Sequence, residues 1–246
     1  IGTGLVGSEM CIRDRYTARL NEIFKKYNTS GMFYAHASVG TLHVRPVLNM
    51  KSDQDIKNMR SISEEAFRMV KNYKGSHSGE HGDGIVRSEF HEMMFGKNIT
   101  NAFEEIKDTF DNKNLLNPGK IVRPFKSNDR SLMRYKSDYQ TENISTHYDW
   151  SNWGQFSDAI EMCNNNGACR KLDSGVMCPS YRVTKEEKDL VRGRANTLRL
   201  ALSNQLPEGS FASKEMYETM ELCVSCKACQ RECPMSVDCL LYTSPS

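Results

Sequence analysis

The fold of the C-terminal third of this chain is decided by the stretch Cys223-Val-Ser-Cys226-Lys-Ala-Cys229-Gln-Arg-Glu-Cys233-Pro234. Its first three cysteines recur at every third position, a spacing that lets three thiolates bind one [4Fe–4S] cluster from a short piece of backbone. In the two-cluster arrangement the cysteine before proline ligates the other cluster, so the fourth ligand must come from an earlier Cys-Pro. Cys178-Pro179 supplies one. A tetrahedral zinc site, which usually pairs two separated Cys-x2-Cys knuckles, is the alternative.

A second cluster would use Cys233 with Cys163 and Cys169, a set that is one cysteine short of the usual motif. That site could take a ligand from outside this chain, take a ligand other than cysteine, hold three irons, or hold no cluster. A single-site alternative uses the four cysteines of the motif itself: Cys223, Cys226, Cys229 and Cys233.

Length and composition limit the class of protein. The 246 residues suit one large or two small domains, and the net charge of +2 lacks the excess expected of a chain that binds nucleic acid. No apolar run is long enough for a membrane span, and the basic-then-apolar pattern of a signal peptide is missing. We therefore expect a soluble, cytoplasmic protein, with peripheral attachment to the inner membrane as the alternative.

Both ends of the sequence differ in character from the rest. Residues 1–15 show no helical or strand period, and residues 239–246 read Cys-Leu-Leu-Tyr-Thr-Ser-Pro-Ser. Both resemble translated remnants of sequencing adapters, so we expect a non-native leader and a non-native tail; two frayed termini are the alternative. Cys11 and Cys239 then leave the set of candidate ligands, and residues 16–238 are expected to be an internal fragment of a longer protein.

Hydrophobic periodicity predicts an α+β first domain, an antiparallel sheet with packed helices over residues 16–124. Its expected elements are a helix at 16–27, a hairpin of strands 32–37 and 42–47, helices at 52–73 and 99–112, and a final strand after Pro118-Gly119. A polar linker over 125–155 is expected to lead into a small all-α iron–sulfur domain at 156–238. Its helices are predicted at 156–163, 184–203 and 214–222, with Thr184 and Glu187 as a capping box.

Histidines and a carboxylate flank the hairpin and a glycine-rich loop. His36 and His43 lie on adjacent predicted strands, where folding brings the two imidazoles together. Glu80 lies in Gly-Ser-His-Ser-Gly-Glu-His-Gly-Asp-Gly, residues 75–84, whose four glycines indicate a loop. Two imidazoles and a carboxylate suit a divalent metal such as zinc, iron or manganese, and His81 beside them could act as a base. The remaining histidines, His77, His91 and His147, are interpreted as surface or structural.

Three motifs in order and spacing resemble the C-terminal cap domain of FAD-linked oxidases, the family that includes D-lactate and D-2-hydroxyglutarate dehydrogenases. They are residues 36–46, 79–84 and 116–121. Met-Cys-Pro-Ser-Tyr at 177–181, Arg-Gly-Arg-Ala-Asn-Thr-Leu-Arg at 192–199 and the cysteine motif resemble the ferredoxin-type domain fused behind that cap in large bacterial D-2-hydroxyglutarate dehydrogenases. The resemblance covers residues 16–238.

The resemblance implies a metal bound by His36, His43 and Glu80, and His81 as the group that takes the substrate hydroxyl proton while hydride passes to flavin. It implies that Arg45 pairs with the substrate carboxylate, with an ordinary surface charge as the alternative. For Asn117 it implies an orientation toward the flavin, with an ordinary turn residue as the alternative.

The function implied is oxidation of a small 2-hydroxy acid, D-2-hydroxyglutarate first and D-lactate second, by an FAD- and iron–sulfur-dependent dehydrogenase. Electrons would pass through a [4Fe–4S] cluster to a quinone or an electron carrier. The family holds its flavin mainly in a domain that precedes the cap, so this chain alone is expected to be inactive. The alternatives are a non-catalytic iron–sulfur electron-transfer subunit and a zinc-stabilised binding module.

Overall fold

A computed structural model describes residues 2–4 and 10–239 of the chain. They divide into two compact units, residues 1–138 and 139–246, so the boundary falls inside the segment expected to be a linker. Within the first unit Arg130 donates to the carbonyl oxygen of Met50 at 2.8 Å. Within the second unit Trp150 is buried in the core. The polar segment is thus divided between the two units.

The first unit contains an antiparallel sheet of three strands in the order β1-β3-β2. The strands are β1 (Gly2–Gly4), β2 (Gly31–His36) and β3 (Thr41–Pro46). The predicted hairpin is confirmed: a 3₁₀ turn, Ala37–Val39, joins β2 to β3, and Gly40 closes it at a left-handed φ of 67°. Tyr34 pairs with His43 in the register. Because opposite side chains share a face, His36, Tyr34 and His43 project from the same side of the hairpin.

Two long helices cover the other face of the hairpin. Helix α1 (Met10–Lys26) begins before the predicted start, so part of the expected leader is helical. Helix α2 (Asp53–Asn72) confirms the predicted amphipathic helix, and the Ser52 hydroxyl caps it by accepting the Asp55 N–H. The core between these helices and the sheet consists of Tyr16, Leu20, Phe24, Leu42, Val44, Ile62, Ala66, Met69 and Val70.

Three helices follow the glycine-rich loop: α3 (Gly84–Arg87), α4 (His91–Phe95) and α5 (Lys97–Phe110). The prediction of a final strand after Pro118-Gly119 is wrong, since none of the described residues there is extended in a sheet. Asn117, Ile121 and Arg123 all have positive φ, 48°, 64° and 47°, as does Gly119 at 75°. Alternate left-handed residues fold this stretch into a loop instead of a β-ladder.

The regular elements of the second unit are all helices in its described part, as predicted, and they are joined by long irregular segments. Its helices are α6 (Phe156–Glu161), α7 (Pro179–Thr184), α8 (Val191–Leu202), α9 (Lys214–Met220) and α10 (Ala228–Glu232). The predicted capping box is wrong: Thr184 ends α7, and its hydroxyl donates to Asp189 at 2.6 Å. No helix among residues 10–239 has the length and apolar character needed to cross a membrane.

Candidate functional site

The hairpin and the glycine-rich loop bring together the three predicted metal ligands. The ring centroids of His36 and His43 lie 5.1 Å apart. Between them the loop places Glu80, whose Oε1 is 2.8 Å from His43 Nε2 and whose Oε2 is 3.5 Å from His36 Nε2. Both imidazoles therefore share one carboxylate.

His81 lies directly beside this triad. Its Nε2 is 2.9 Å from Glu80 Oε1, and its ring centroid is 5.2 Å from that of His43. The side chains of His36 and His81 are 57% and 60% exposed, whereas that of His43 is 16% exposed. The triad is thus anchored on the inner strand and open to small molecules on its outer side.

The donor set of the triad fits a divalent metal ion. One ligand atom from each of His36, His43 and Glu80 lies within 4.8 Å of the others, although the imidazoles and the carboxylate come from three separate parts of the chain. Two imidazole nitrogens and one carboxylate oxygen suit zinc, iron or manganese. Three protein ligands leave coordination positions free for a substrate, as catalytic sites require.

Arg45, expected to bind the substrate, and Asn117, expected to face the flavin, lie on different elements of the first unit. Arg45 follows His43 on the same face of β3, is exposed, and lies with its guanidinium 5.3 Å from the ring centroid of Tyr34. Asn117 lies in the loop after α5 and lines an open, mostly apolar groove of about 590 Å³ that also includes Gly84. Arg45 therefore lies on the same strand face as the triad, and Asn117 shares its groove with the end of the glycine-rich loop.

Four of the predicted cluster ligands line one small pocket in the second unit: Cys178, Cys223, Cys226 and Cys229. Cys233 is not among the described residues that line it. This grouping is the one expected when the motif takes its fourth ligand from the earlier Cys-Pro.

Arg194 also lines this pocket, and the sequence motif at 192–199 that contains it gave it no function. It is fully buried; its Nη1 lies 3.5 Å from Cys178 Sγ and its Nε donates to the Thr219 carbonyl oxygen at 3.0 Å. Its Nη2 has no hydrogen-bond partner among the described residues. A buried cation needs a negative partner, and a thiolate-bound iron–sulfur cluster in this pocket would provide one. The pocket therefore fits the cluster chemically.

Cys239 was excluded from the candidate ligands as part of the expected tail, yet its side chain is 2% exposed and lines the same pocket. A hydrogen bond with Cys223 and then burial raise the pKa of the Cys239 thiol. Sequence spacing gave no signal for it, because five residues separate it from Cys233.

The cysteines assigned to the second cluster lie on neighbouring elements. The 3₁₀ turn Ala168–Arg170 contacts α10, the helix that ends at Cys233. Cys163 and Cys169 are both buried, and burial raises the pKa of the Cys169 thiol. Asn196 Nδ2 lies 3.9 Å from Cys163 Sγ.

His77 and His91 were interpreted as surface or structural residues, and their burial leaves only the structural alternative. Their exposed fractions are 0% and 3%, whereas His147 is exposed. Burial lowers the pKa of His77, although the nearby carboxylate of Asp83 opposes this shift. Helical periodicity gave no warning, because His77 lies in the glycine-rich loop and His91 starts a short helix.

Comparison with known protein families finds one match in each unit. Residues 14–121 match the family described as FAD linked oxidases, C-terminal domain, and residues 159–237 match the 4Fe-4S dicluster domain. The first unit is therefore similar to the C-terminal domain of the FAD linked oxidases over these residues, and the second unit is similar to the 4Fe-4S dicluster domain. Both resemblances predicted from the motifs are confirmed.

Several curated proteins that are similar to this chain are named as dehydrogenases of D-2-hydroxy acids. D-2-hydroxyglutarate dehydrogenase of Haemophilus influenzae is 31% identical over 91% of this chain and 24% of that protein, and that of Escherichia coli is 30% identical over 91% and 25%. D-lactate dehydrogenase of Archaeoglobus fulgidus is 32% identical over 44% of this chain and 24% of that protein. The chain spans about a quarter of the length of these relatives.

Proposed function

We propose that this chain is the metal-binding and iron–sulfur part of a longer FAD-dependent D-2-hydroxy acid dehydrogenase. The first candidate for its substrate is D-2-hydroxyglutarate, and the second candidate is D-lactate. The observation that carries the proposal is the convergence of His36, His43 and Glu80 with His81 alongside. Relatives that match 91% of this chain are named D-2-hydroxyglutarate dehydrogenase, and one that matches 44% of it is named D-lactate dehydrogenase.

In this proposal the residues of the triad bind and orient the substrate. His36, His43 and Glu80 would hold a divalent metal, which when bound would act as a Lewis acid on the substrate's 2-hydroxyl and carboxylate oxygens. His81 accepts the hydroxyl proton on a ring nitrogen, because it is exposed and lies next to Glu80. Arg45, two residues beyond His43 on the same face, pairs with a substrate carboxylate.

FAD, when bound, supplies the hydride acceptor, and we place Asn117 on the side that faces it. The described residues offer an open groove at Asn117, so we propose that the flavin is held mainly by another part of the longer protein. The apolar face of α5 supports this: Ile106 and Phe110 are 58% and 85% exposed, as expected of a surface that another part covers.

Cys178, Cys223, Cys226 and Cys229 would hold a [4Fe–4S] cluster, which when bound would supply a carrier for the electrons that the flavin releases. We propose a quinone or an electron carrier as the acceptor, and a cytoplasmic location, with peripheral attachment to the inner membrane as the alternative. The dicluster description of the domain supports a second site, for which Cys163, Cys169 and Cys233 are the candidate ligands.

The test is His81→Ala in the full-length protein, assayed with D-2-hydroxyglutarate and with D-lactate. Loss of a positioned proton acceptor should lower kcat roughly 10²–10⁴-fold while flavin and metal content stay unchanged. The matched control is His147→Ala, because His147 is exposed and outside the triad. Unchanged turnover would remove His81 from the mechanism, and a wild-type protein that oxidises neither acid would contradict the proposed function.

A further inference from the structure

A second group of side chains that can bind a metal lies where the glycine-rich loop meets α4. It is separate from the proposed substrate-binding triad. His77 and Asp83 come from that loop, and His91 starts α4. One ligand atom from each lies within 4.8 Å of the others. His91 Nε2 is 2.8 Å from Asp83 Oδ2, and His77 Nε2 is 3.7 Å from Asp83 Oδ1.

Hydrogen bonding within the protein does not account for this group. His91 is paired with Asp83, whereas neither buried ring nitrogen of His77 makes a well-formed hydrogen bond with a described residue, although the backbone of Arg87 interacts with this imidazole. Asp83 Oδ1 and His91 Nδ1 are also buried without a hydrogen-bond partner among the described residues. Buried polar groups are normally satisfied, so several unsatisfied atoms that face one another indicate an absent partner.

Aromatic rings pack around the group, and the donor set of the group suits a metal ion as that partner. The Phe67 ring centroid lies 5.2 Å from that of His77, and the Phe95 centroid lies 5.8 Å from His77 and 5.5 Å from His91. These atoms could also bind a bridging water, but two imidazoles and a carboxylate that converge on one point are the donor set of zinc. Arg87, which also interacts with Asp83, donates to the Gly82 carbonyl oxygen at 3.0 Å.

We propose that His77, Asp83 and His91 form a second divalent metal site of the zinc class, with a structural function. It shares no ligand with His36, His43 and Glu80. Its position follows from its ligands: His77 and Asp83 flank Glu80 and His81 in the loop, and His91 belongs to α4. A metal bound there would tie the loop to the helix and fix the segment that carries Glu80 and His81.

The test uses the full chain carrying His36→Ala and His43→Ala, with its iron–sulfur sites reconstituted anaerobically so that the cysteines are occupied. After equilibration with zinc and removal of free metal, this background protein should retain about one zinc. X-ray absorption at the zinc edge should show nitrogen and oxygen ligands without sulfur. Adding His77→Phe, which keeps a ring against Phe67 and Phe95, should abolish the bound zinc.

The matched control is His147→Phe in the same background, which should retain the zinc because His147 is exposed. A background protein that binds no zinc, or zinc retained in His77→Phe, would overturn the proposal. If His77→Phe does not fold, the zinc content and ligand spectrum of the background protein still decide the question. All proteins compared lack both histidines of the first triad, so the result does not depend on the proposed dehydrogenase activity.

Discussion

At the scale of single residues, the buried guanidinium of Arg194 is the strongest indication that the cysteine pocket binds an anionic cluster. It is fully buried with one nitrogen 3.5 Å from Cys178 Sγ. A positive charge next to a cluster stabilises the reduced, more negative state. Arg194→Met, which keeps the length of the side chain, should therefore shift the reduction potential of the reconstituted cluster to a more negative value, measured by redox titration with electron paramagnetic resonance.

Two further variants separate charge from packing at this position. Arg194→Lys retains the positive charge and should recover part of the shift. Arg231→Met removes an exposed arginine of the cysteine motif. Solvent screens the charge of Arg231, so this variant should leave the reduction potential nearly unchanged. An Arg194→Met protein with the wild-type potential would show that Arg194 does not interact with the cluster.

At the scale of elements, Asp111 stabilises the loop that carries Asn117. Its carboxylate accepts the backbone N–H groups of Leu115 and Leu116 at 2.9 and 2.8 Å and binds Lys107 Nζ. The Lys107 ammonium and these two N–H groups lower the pKa of Asp111 from 3.8 to about 2. The ionised carboxylate therefore stabilises the folded state at pH above about 4, and this stabilisation is lost as the pH falls toward 2.

Asp111→Asn should lower the free energy of unfolding at neutral pH, and the difference from wild type should diminish as the pH falls from about 4 toward 2. Denaturant unfolding at a series of pH values measures this. Asp108→Asn is the control, since Asp108 is 57% exposed and pairs with Arg123 at the surface, where ion pairs contribute little. A pH-independent difference would show that Asp111 acts through something other than its charge.

The same elements show what sequence patterns can predict. Helix α2 was predicted within a residue at each end, because its apolar positions repeat regularly and Ser52 caps it. The loop after Asn117 was mistaken for a strand, because an apolar Ile-Val pair indicates extension. The positive φ of Ile121 depends on contacts that hydrophobic patterning does not encode, such as the bond from its N–H to Ser88 Oγ.

On the scale of the whole molecule, the candidate site could be predicted where residue spacing is local and could not where distant segments meet. His36 and His43 flank one hairpin, so the fold of that hairpin alone brings them together. Arg194 reaches the cysteine pocket from the middle of α8, and Cys239 reaches it from beyond the motif. His77 and His91 meet only when the glycine-rich loop packs against α4, a tertiary contact that no short pattern specifies.

The central claim is that the whole chain holds an iron–sulfur cluster in its second unit and a divalent metal on His36 and His43. Metal and sulfide analysis of the anaerobically reconstituted chain tests it directly, beside His36→Ala/His43→Ala and the exposed control His147→Ala. We predict at least about four irons with matching acid-labile sulfide, and a loss of about one divalent metal in the double variant alone. Zinc on the cysteines without labile sulfide, together with no metal that depends on His36 and His43, would contradict the account.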